Sequence, residues 1–257
     1  MIVTTSEAPV SQTVEQAKRL AAELSAVYVH RGQHSLRRIG RRLGEERLLV
    51  VTSHNLRYYE GEEQPLYFHP SMALIRIKRL ISGEHDPMLV ASRCASGDEV
   101  LDCTAGLGAD SLVFSFAVGA QGRVTALESE PVLAALVRDG LLRYDTGIAD
   151  VNEAMRRIEL IAANHAERLA SLPDNSYDIV YFDPMFRRPI QESSALQPLR
   201  QLANHSELSA SSVAEAVRVA RKAVVLKEHR WSGEFARLGF EQVQASTSKI
   251  AYGVIAT

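Results

Sequence analysis

A chain of 257 residues, 46% hydrophobic and 23% charged, has the composition of a folded globular protein with room for a sizeable core, either as one large domain or as a standard domain plus a small one. Its formal charge of -2 excludes recognition of a polyanion by total charge, so any nucleic-acid contact must be local. Two cysteines, no basic-then-apolar leader and no apolar run of bilayer length exclude a disulfide framework and a membrane span, and predict a cytoplasmic protein.

Residues 1–63 read as a small α/β domain. Ile2-Val3-Thr4-Thr5 is a β-branched run, and Val14, Ala17, Leu20, Ala21 and Leu24 recur at helical spacing. Val27-Tyr28-Val29, Arg47 to Val51 and Leu56 to Tyr59 read as strands, the last two separated by the turn-forming Ser53-His54-Asn55. A basic segment runs from Arg31 to Arg42, with His34, Arg37, Arg38, Arg41 and Arg42. Two readings of it stay open: a solvated helix face, or a contact to nucleic-acid phosphates that would make this domain RNA-binding. The polar Gly61-Glu62-Glu63-Gln64-Pro65 marks a linker into a second domain over 64–257.

A helix with Ala73, Leu74, Ile77, Leu80 and Ile81 on one side leads into that domain. From Glu99 strands and helices alternate. Strands fall over 99–101, 123–127, 157–162, 177–182 and 223–226; helices start at Ser111, at Pro131 (in the favoured first turn) and at Ser211. Tyr177 to Phe182 is almost wholly apolar, as a parallel strand covered on both faces must be. Such alternation predicts an α/β fold with a mostly parallel, doubly wound sheet. Phe240 to Ser246 and Ile250 to Ala256 are joined by too few residues for a parallel crossover, so they form an antiparallel hairpin that completes seven strands.

Asp102-Cys103-Thr104-Ala105-Gly106-Leu107-Gly108-Ala109-Asp110 follows the first of these strands. Glycines at spacing two ahead of a helix let backbone N–H groups approach a ligand with no Cβ in the way. A dinucleotide fingerprint would put a third glycine where Ser111 stands, and has no need of Asp102. The pattern suits S-adenosylmethionine; the plainer alternative is glycine required by turn geometry alone. Glu128 closes the second strand about twenty residues further on, where a carboxylate can accept both ribose hydroxyls, with Ser129 beside it. Its alternative is an acid serving the dipole of the next helix. Asn164 and His165 follow the third strand, where an adenine edge would lie; an Asn amide can donate and accept there, and equally can cap a helix.

Asp183-Pro184-Met185-Phe186 ends the fourth strand. An acid, a proline and an aromatic at this place match the Asp/Asn-Pro-Pro-Tyr/Phe loop of enzymes that methylate exocyclic base amines. The Asp183 carboxylate and the Pro184 carbonyl can accept the two N–H bonds of an aromatic amine, localising a lone pair that is otherwise delocalised. Phe186 can stack on a base taken out of its helix. Arg187 and Arg188 are candidates for phosphate contact or plain loop arginines, and Lys227, ending the fifth strand, either lines the same cleft or leaves the sheet. No Cys/His cluster has metal spacing and no phosphate-loop lysine is present, so neither metal nor ATP chemistry is expected.

Taken together, Leu101 to Asp110, Glu128-Ser129-Glu130-Pro131 onward to Leu141, and Tyr181-Phe182-Asp183-Pro184-Met185-Phe186 resemble the small-subunit rRNA guanine-N2 methyltransferases, and Val224-Val225-Leu226-Lys227 looks similar to that family's fifth-strand end. The resemblance implies a Rossmann-like methyltransferase fold, S-adenosylmethionine as donor and a guanine amine of rRNA as acceptor. It assigns cofactor contacts to Asp102, Thr104, Ala105, Gly106, Gly108, Asp110 and Glu128, and catalysis to Asp183 and its loop. The chain departs from the family at Arg187-Arg188-Pro189-Ile190-Gln191-Glu192, where an acid enters the basic stretch, and over its first 60 or so residues. Three further readings stand beside this one: a small-molecule methyltransferase, a non-catalytic RNA- or cofactor-binding protein, and an NAD-dependent dehydrogenase, the last opposed by Ser111 and the terminal hairpin.

Overall fold

The computed structural model describes residues 1–61, 64–184, 202, 206–243 and 249–257. Its chain forms two compact units. The first comprises Met1–His69 with Pro131–Tyr144. It holds a four-stranded sheet of β1 (Ile2–Thr5), β2 (Val27–Tyr28), β3 (Arg47–Val51) and β4 (Leu56–Glu60), in the order β2-β1-β3-β4. β1 runs parallel to both neighbours and β3 pairs antiparallel with β4. Helix α1 (Ser11–Glu23) makes the β1-to-β2 crossover and buries Ala17, Leu20 and Ala21, three of the residues whose spacing predicts the helix. Ser35 caps α2 (Leu36–Leu43), accepting from the Arg38 N–H, and that helix buries only Ile39 and Gly40. The β3–β4 turn is tied by Thr52, whose hydroxyl accepts from the His54 and Asn55 N–H groups.

The second unit contains a seven-stranded sheet in the order β10-β11-β9-β8-β5-β6-β7. Its strands are β5 (Glu99–Asp102), β6 (Arg123–Glu128), β7 (Ile158–Ala162), β8 (Tyr177–Phe182), β9 (Ala220–His229), β10 (Glu241–Val243) and β11 (Ile250–Ala256). The five from β5 to β9 are mutually parallel. β11 pairs antiparallel with both β9 and β10, which is the expected terminal hairpin; its connecting residues 244–248 lie outside the described residues. Val100, Leu101, Ile179, Val180, Tyr181 and Phe182 are wholly buried, so the central strands are covered on both faces.

α3 (Ser71–Ile81) and α4 (Pro87–Ser92) precede β5, and α5 (Ala109–Val118) connects it to β6. α6 (Pro131–Arg143) belongs to the first unit, although it follows β6 in the chain. α7 (Ala149–Arg157), α8 (His165–Ser171), α9 (Ala210–Val219) and α10 (Glu234–Leu238) complete the helices among the described residues. α4, α7 and α10 are absent from the sequence reading, and α8 enters it only as the helix that Asn164 could cap; none exceeds nine residues, too short for apolar periodicity to register. No helix among the described residues is long and apolar enough to cross a membrane. β5 lies between β8 and β6, so the order reverses beside it, and the crevice at the carboxyl ends of such strands is where open α/β sheets place ligands.

α6 gives a test of packing against propensity. Gly140 faces the buried Phe68, and a Cβ there would stand 2.0 Å from its ring. On helix propensity alone Gly140→Ala would stabilise by about 1 kcal/mol. Overpacking reverses the sign: we expect a loss of roughly 1–3 kcal/mol in urea unfolding, partly restored by adding Phe68→Leu.

Candidate functional site

The turn after β5 is built around an inward-facing acid. The Asp102 side chain is almost fully buried; Oδ1 accepts from the Thr104 N–H at 3.0 Å and Oδ2 from the Ser111 hydroxyl. Ser111, where a dinucleotide fingerprint would have glycine, thus closes the turn from the first turn of α5. Burial pushes the Asp102 carboxyl up to about 7, despite both hydrogen bonds. The backbone is stitched to the strands on either side: the Cys103 N–H donates to the Tyr181 carbonyl of β8 and that of Ala105 to the Leu127 carbonyl of β6. Gly106 and Gly108 take φ of 53° and 75°, in the left-handed region. A Cβ on Gly106 would meet nothing within 4 Å among the described residues, so there is open space in front of that glycine.

Glu128, at the end of β6, faces the same turn. Its Oε2 accepts from the Gly106 N–H at 3.0 Å and its Oε1 from the Glu130 N–H at 2.8 Å, while the Ser129 N–H also favours its ionised form. Burial raises its pKa against these donors. Asn164 caps α8, its Oδ1 accepting from the Ala166 N–H at 2.8 Å. The capping reading of Asn164 is therefore met, and its amide NH2 plays no part in that bond. His165 stands edge-on to Phe182 at 5.7 Å, and burial lowers its pKa.

Five charged side chains from separate elements form a continuous array. Arg76 of α3 grips Asp86 with two bonds of 2.7 and 2.8 Å and bonds Asp110 through Nη1. Asp110, in the first turn of α5, also accepts from the Tyr181 hydroxyl at 2.7 Å and from Lys227 at 2.8 Å. Lys227 of β9 reaches on to Oδ2 of Asp183 at 2.7 Å. Among the described residues, three carboxylates against two cations leave the array one negative charge in excess (2 − 3 = −1).

Exposure of the three carboxylates is graded. The Asp86 side chain is 5% exposed, Asp110 9% and Asp183 26%, so the array opens toward solvent at Asp183. Burial disfavours the Asp110 carboxylate, but Lys227 and Arg76 outweigh it and hold it below the usual range. Burial also disfavours the Lys227 ammonium, and the two carboxylates outweigh that, raising its pKa. Asp183 comes out differently: burial raises it to about 6, Lys227 works in the other direction, and the neighbouring Asp110 charge adds to the rise.

The Asp183 N–H donates to the Thr104 hydroxyl at 2.6 Å, which joins the glycine turn to the end of β8. The structure thus brings together Asp102, Thr104, Ala105, Gly106, Gly108, Asp110, Glu128, Ser129, Asp183 and Lys227, with Pro184 following. Lys227 is a partner of two acids, which neither of its sequence readings anticipates. Phe186, Arg187 and Arg188 lie outside the described residues. Sequence reasoning misses Arg76, Asp86 and Tyr181. Asp86-Pro87 does carry a signal, an N-cap acid before a first-turn proline, and Asp86 indeed accepts from the Met88 and Leu89 N–H groups.

Residues 44–247 match the family described as "Putative SAM-dependent methyltransferase". The Bacillus subtilis (strain 168) protein YpiP, itself uncharacterised, is 42% identical over 256 residues, covering 100% of this chain and 99% of its own. Ribosomal RNA small subunit methyltransferase J of Hydrogenovibrio crunogenus is 33% identical over 150 residues, 56% of this chain and 53% of its own, and that of Laribacter hongkongensis 38% over 135 residues, 51% and 47%. Each of these two matches thus spans about half of either protein. Among solved structures, the SAM-dependent methyltransferase NGO1261 from Neisseria gonorrhoeae superposes with a TM-score of 0.65 at 20% identity, over 100% of this chain and 96% of that one, a likeness of fold.

The buried acid of the turn has a pH signature. Because folding raises the Asp102 pKa from 3.8 to about 7, its contribution to stability is full below the lower value and is lost as pH rises through the upper one. Asp102→Asn removes that loss while keeping an acceptor for the Thr104 N–H. The Tm of Asp102→Asn relative to the parent should therefore climb between pH 6 and 8.5 in thermal melts; a pH-independent difference would mean that the carboxyl does not titrate there.

Proposed function

We propose, from the premise that the chain belongs to the SAM-dependent methyltransferase family and uses S-adenosylmethionine as cofactor, that it methylates an exocyclic amine of an RNA base, guanine N2 in ribosomal RNA. The observation that carries this reading is the Asp183-Pro184 end of β8: a partly exposed carboxylate, oriented by Lys227 and joined to the glycine turn through Thr104.

The residues present fit the cofactor. Open space lies in front of Gly106, and the array's excess negative charge suits a sulfonium. Thr104, Ala105, Gly106, Gly108 and Asp110 with the turn they form, Glu128 and Ser129 at the ribose, and Asn164 and His165 at the adenine are the residues that would hold it. The Gly106, Glu130 and Ser129 N–H groups take three of the four lone-pair sites of the Glu128 carboxylate, which leaves one for a ribose hydroxyl. Asp102 acts one step back, by shaping the turn. When bound, S-adenosylmethionine supplies an electrophilic methyl group whose bonding electrons stay with the departing sulfur.

The chain's task is then to make a weak nucleophile react. Asp183 accepts one N–H of the base amine and the Pro184 carbonyl the other, which turns the nitrogen lone pair out of the ring. The proton that nitrogen loses on methylation passes to Asp183, whose pKa near 6 leaves it ionised and able to accept at neutral pH. Lys227 holds the carboxylate in place through Oδ2. Support for RNA as substrate comes from the names of the relatives that match half of this chain, ribosomal RNA small subunit methyltransferases.

Two outcomes are expected. Asp183→Asn should lower kcat for methylation of small-subunit rRNA, isolated from cells lacking the protein, by roughly 10²–10³-fold, while S-adenosylhomocysteine affinity by calorimetry stays within about twofold. Unchanged turnover would exclude Asp183 as the amine's acceptor. In the parent, kcat/KM should rise with pH through a midpoint near 6, since only the ionised carboxylate accepts. Lys227→Met removes the charge that lowers both carboxylates, so its midpoint must move up; a fixed midpoint would mean that Asp183 is not the titrating group.

A further inference from the structure

The first unit carries a basic cleft that the methyl-transfer site does not use. It lies between β2 and α2, encloses about 360 Å³, and is lined by Tyr28, His30, His34, Arg38, Ile39 and Arg42 among others. That volume is within the range of small-molecule and nucleotide pockets.

Several observations point to an anionic ligand with a stackable ring. Arg38 and Arg42 stand four apart on one face of α2, both exposed, and neither has an ion pair with a described residue. Other arginines of the same unit are committed: Arg31 to Glu7 and to the Thr5 and His34 carbonyls, and Arg47 to Glu45. A like-charged pair at this spacing disfavours the helix unless an anion compensates it. Tyr28 lines the cleft beside these arginines. His30 and His34 add ring faces, and Val27 beside them is 62% exposed on the edge strand.

We propose that this cleft binds a single-stranded segment of RNA, with phosphates on Arg38 and Arg42 and a base against the rings of His30 and His34. The choice of RNA over another anion rests on the reading of the chain as an RNA methyltransferase. An acidic peptide would meet the arginines but has no use for the rings, and an anionic lipid surface needs a flat basic face in place of a cleft.

The test is fluorescence anisotropy of a labelled single-stranded 12-nucleotide RNA with the full chain over a range of salt. Arg38→Glu with Arg42→Glu should weaken binding at least 10-fold and flatten the log–log salt slope by about 1.4, the loss of two phosphate contacts. Arg38→Lys with Arg42→Lys should keep most of the affinity. Arg19→Glu with Arg57→Glu, the same charge change at exposed positions elsewhere on the unit, should leave it within about twofold. Both arginines of the cleft are exposed, so folding should survive their exchange, and circular dichroism checks it. The proposal is overturned if the glutamate pair binds like the parent, if the parent does not bind, or if polyglutamate or phosphatidylserine vesicles displace the RNA as well as unlabelled RNA does. Asp183→Asn should bind this RNA normally. A failed cleft beside an inactive Asp183→Asn therefore leaves the active-site reading standing, and a bound cleft beside an active Asp183→Asn sinks only the latter.

Discussion

The second unit depends on one arrangement: two cations held among three carboxylates at the carboxyl ends of the sheet. Buried ion pairs contribute little net stability, because desolvation offsets much of their attraction, yet removing one partner leaves a charge that nothing neutralises, at roughly 3–5 kcal/mol. Such an array therefore acts as a constraint on geometry. Arg76, Asp86, Asp110, Asp183 and Lys227 come from α3, the start of α4, α5, the end of β8 and β9, so it forms only when all five elements are in register. Strand pairing sets its exposed end. Phe182 lies opposite Leu226, and the next residue on each strand, Asp183 and Lys227, meet side by side.

That constraint also fixes what each acid can do. Among the described residues, Asp110 has three donors and stays ionised, while Asp183 has one cation, shared, and the Asp110 charge nearby. The same lysine therefore serves one carboxylate as counter-ion and the other as a tether. The result is a pair of acids pushed apart in pKa, with the more basic one at the open end, which is the order a site needs when one group is structural and the other handles a proton. Thr104 joins the Asp183 end of β8 to the glycine turn, in addition to the Cys103–Tyr181 backbone bond.

The sequence makes some of this legible and conceals the rest for physical reasons. Glycine at 106 and 108 is visible because only glycine takes those φ values at no steric cost, and the alternation of strands and helices is visible because parallel strands must be apolar on both faces. The direction in which Asp102 faces is not visible: acid before glycine reads alike whether the carboxylate meets a ligand or, as here, its own Thr104 and Ser111. Lys227 poses the same difficulty, since a cation ending a strand gives no sign of its cross-strand neighbour. Arg76 is harder still, for its partner Asp110 is 34 residues distant and sits on another helix. The grouping of α6 with Met1–His69 depends on Gly140 admitting the Phe68 ring, a long-range fit with no local pattern.

Charge has to be weighed at the scale on which it acts. A total of -2 says little about a chain in which many arginines, Arg31, Arg47, Arg76, Arg218 and Arg221 among them, are already committed to acids or carbonyls. Screening confines an exposed charge to about 8–10 Å, so an anion responds to the few groups within that reach and not to the sum. On α2 four arginines share eight residues with no acid among them, and the helix buries only Ile39 and Gly40. Burial there is too slight to be the reason for such a sequence, and like charges four apart, such as Arg38 and Arg42, work against the helix that holds them. The local cost is offset wherever an anion supplies the missing charge, which is the balance that the cleft beside α2 would need.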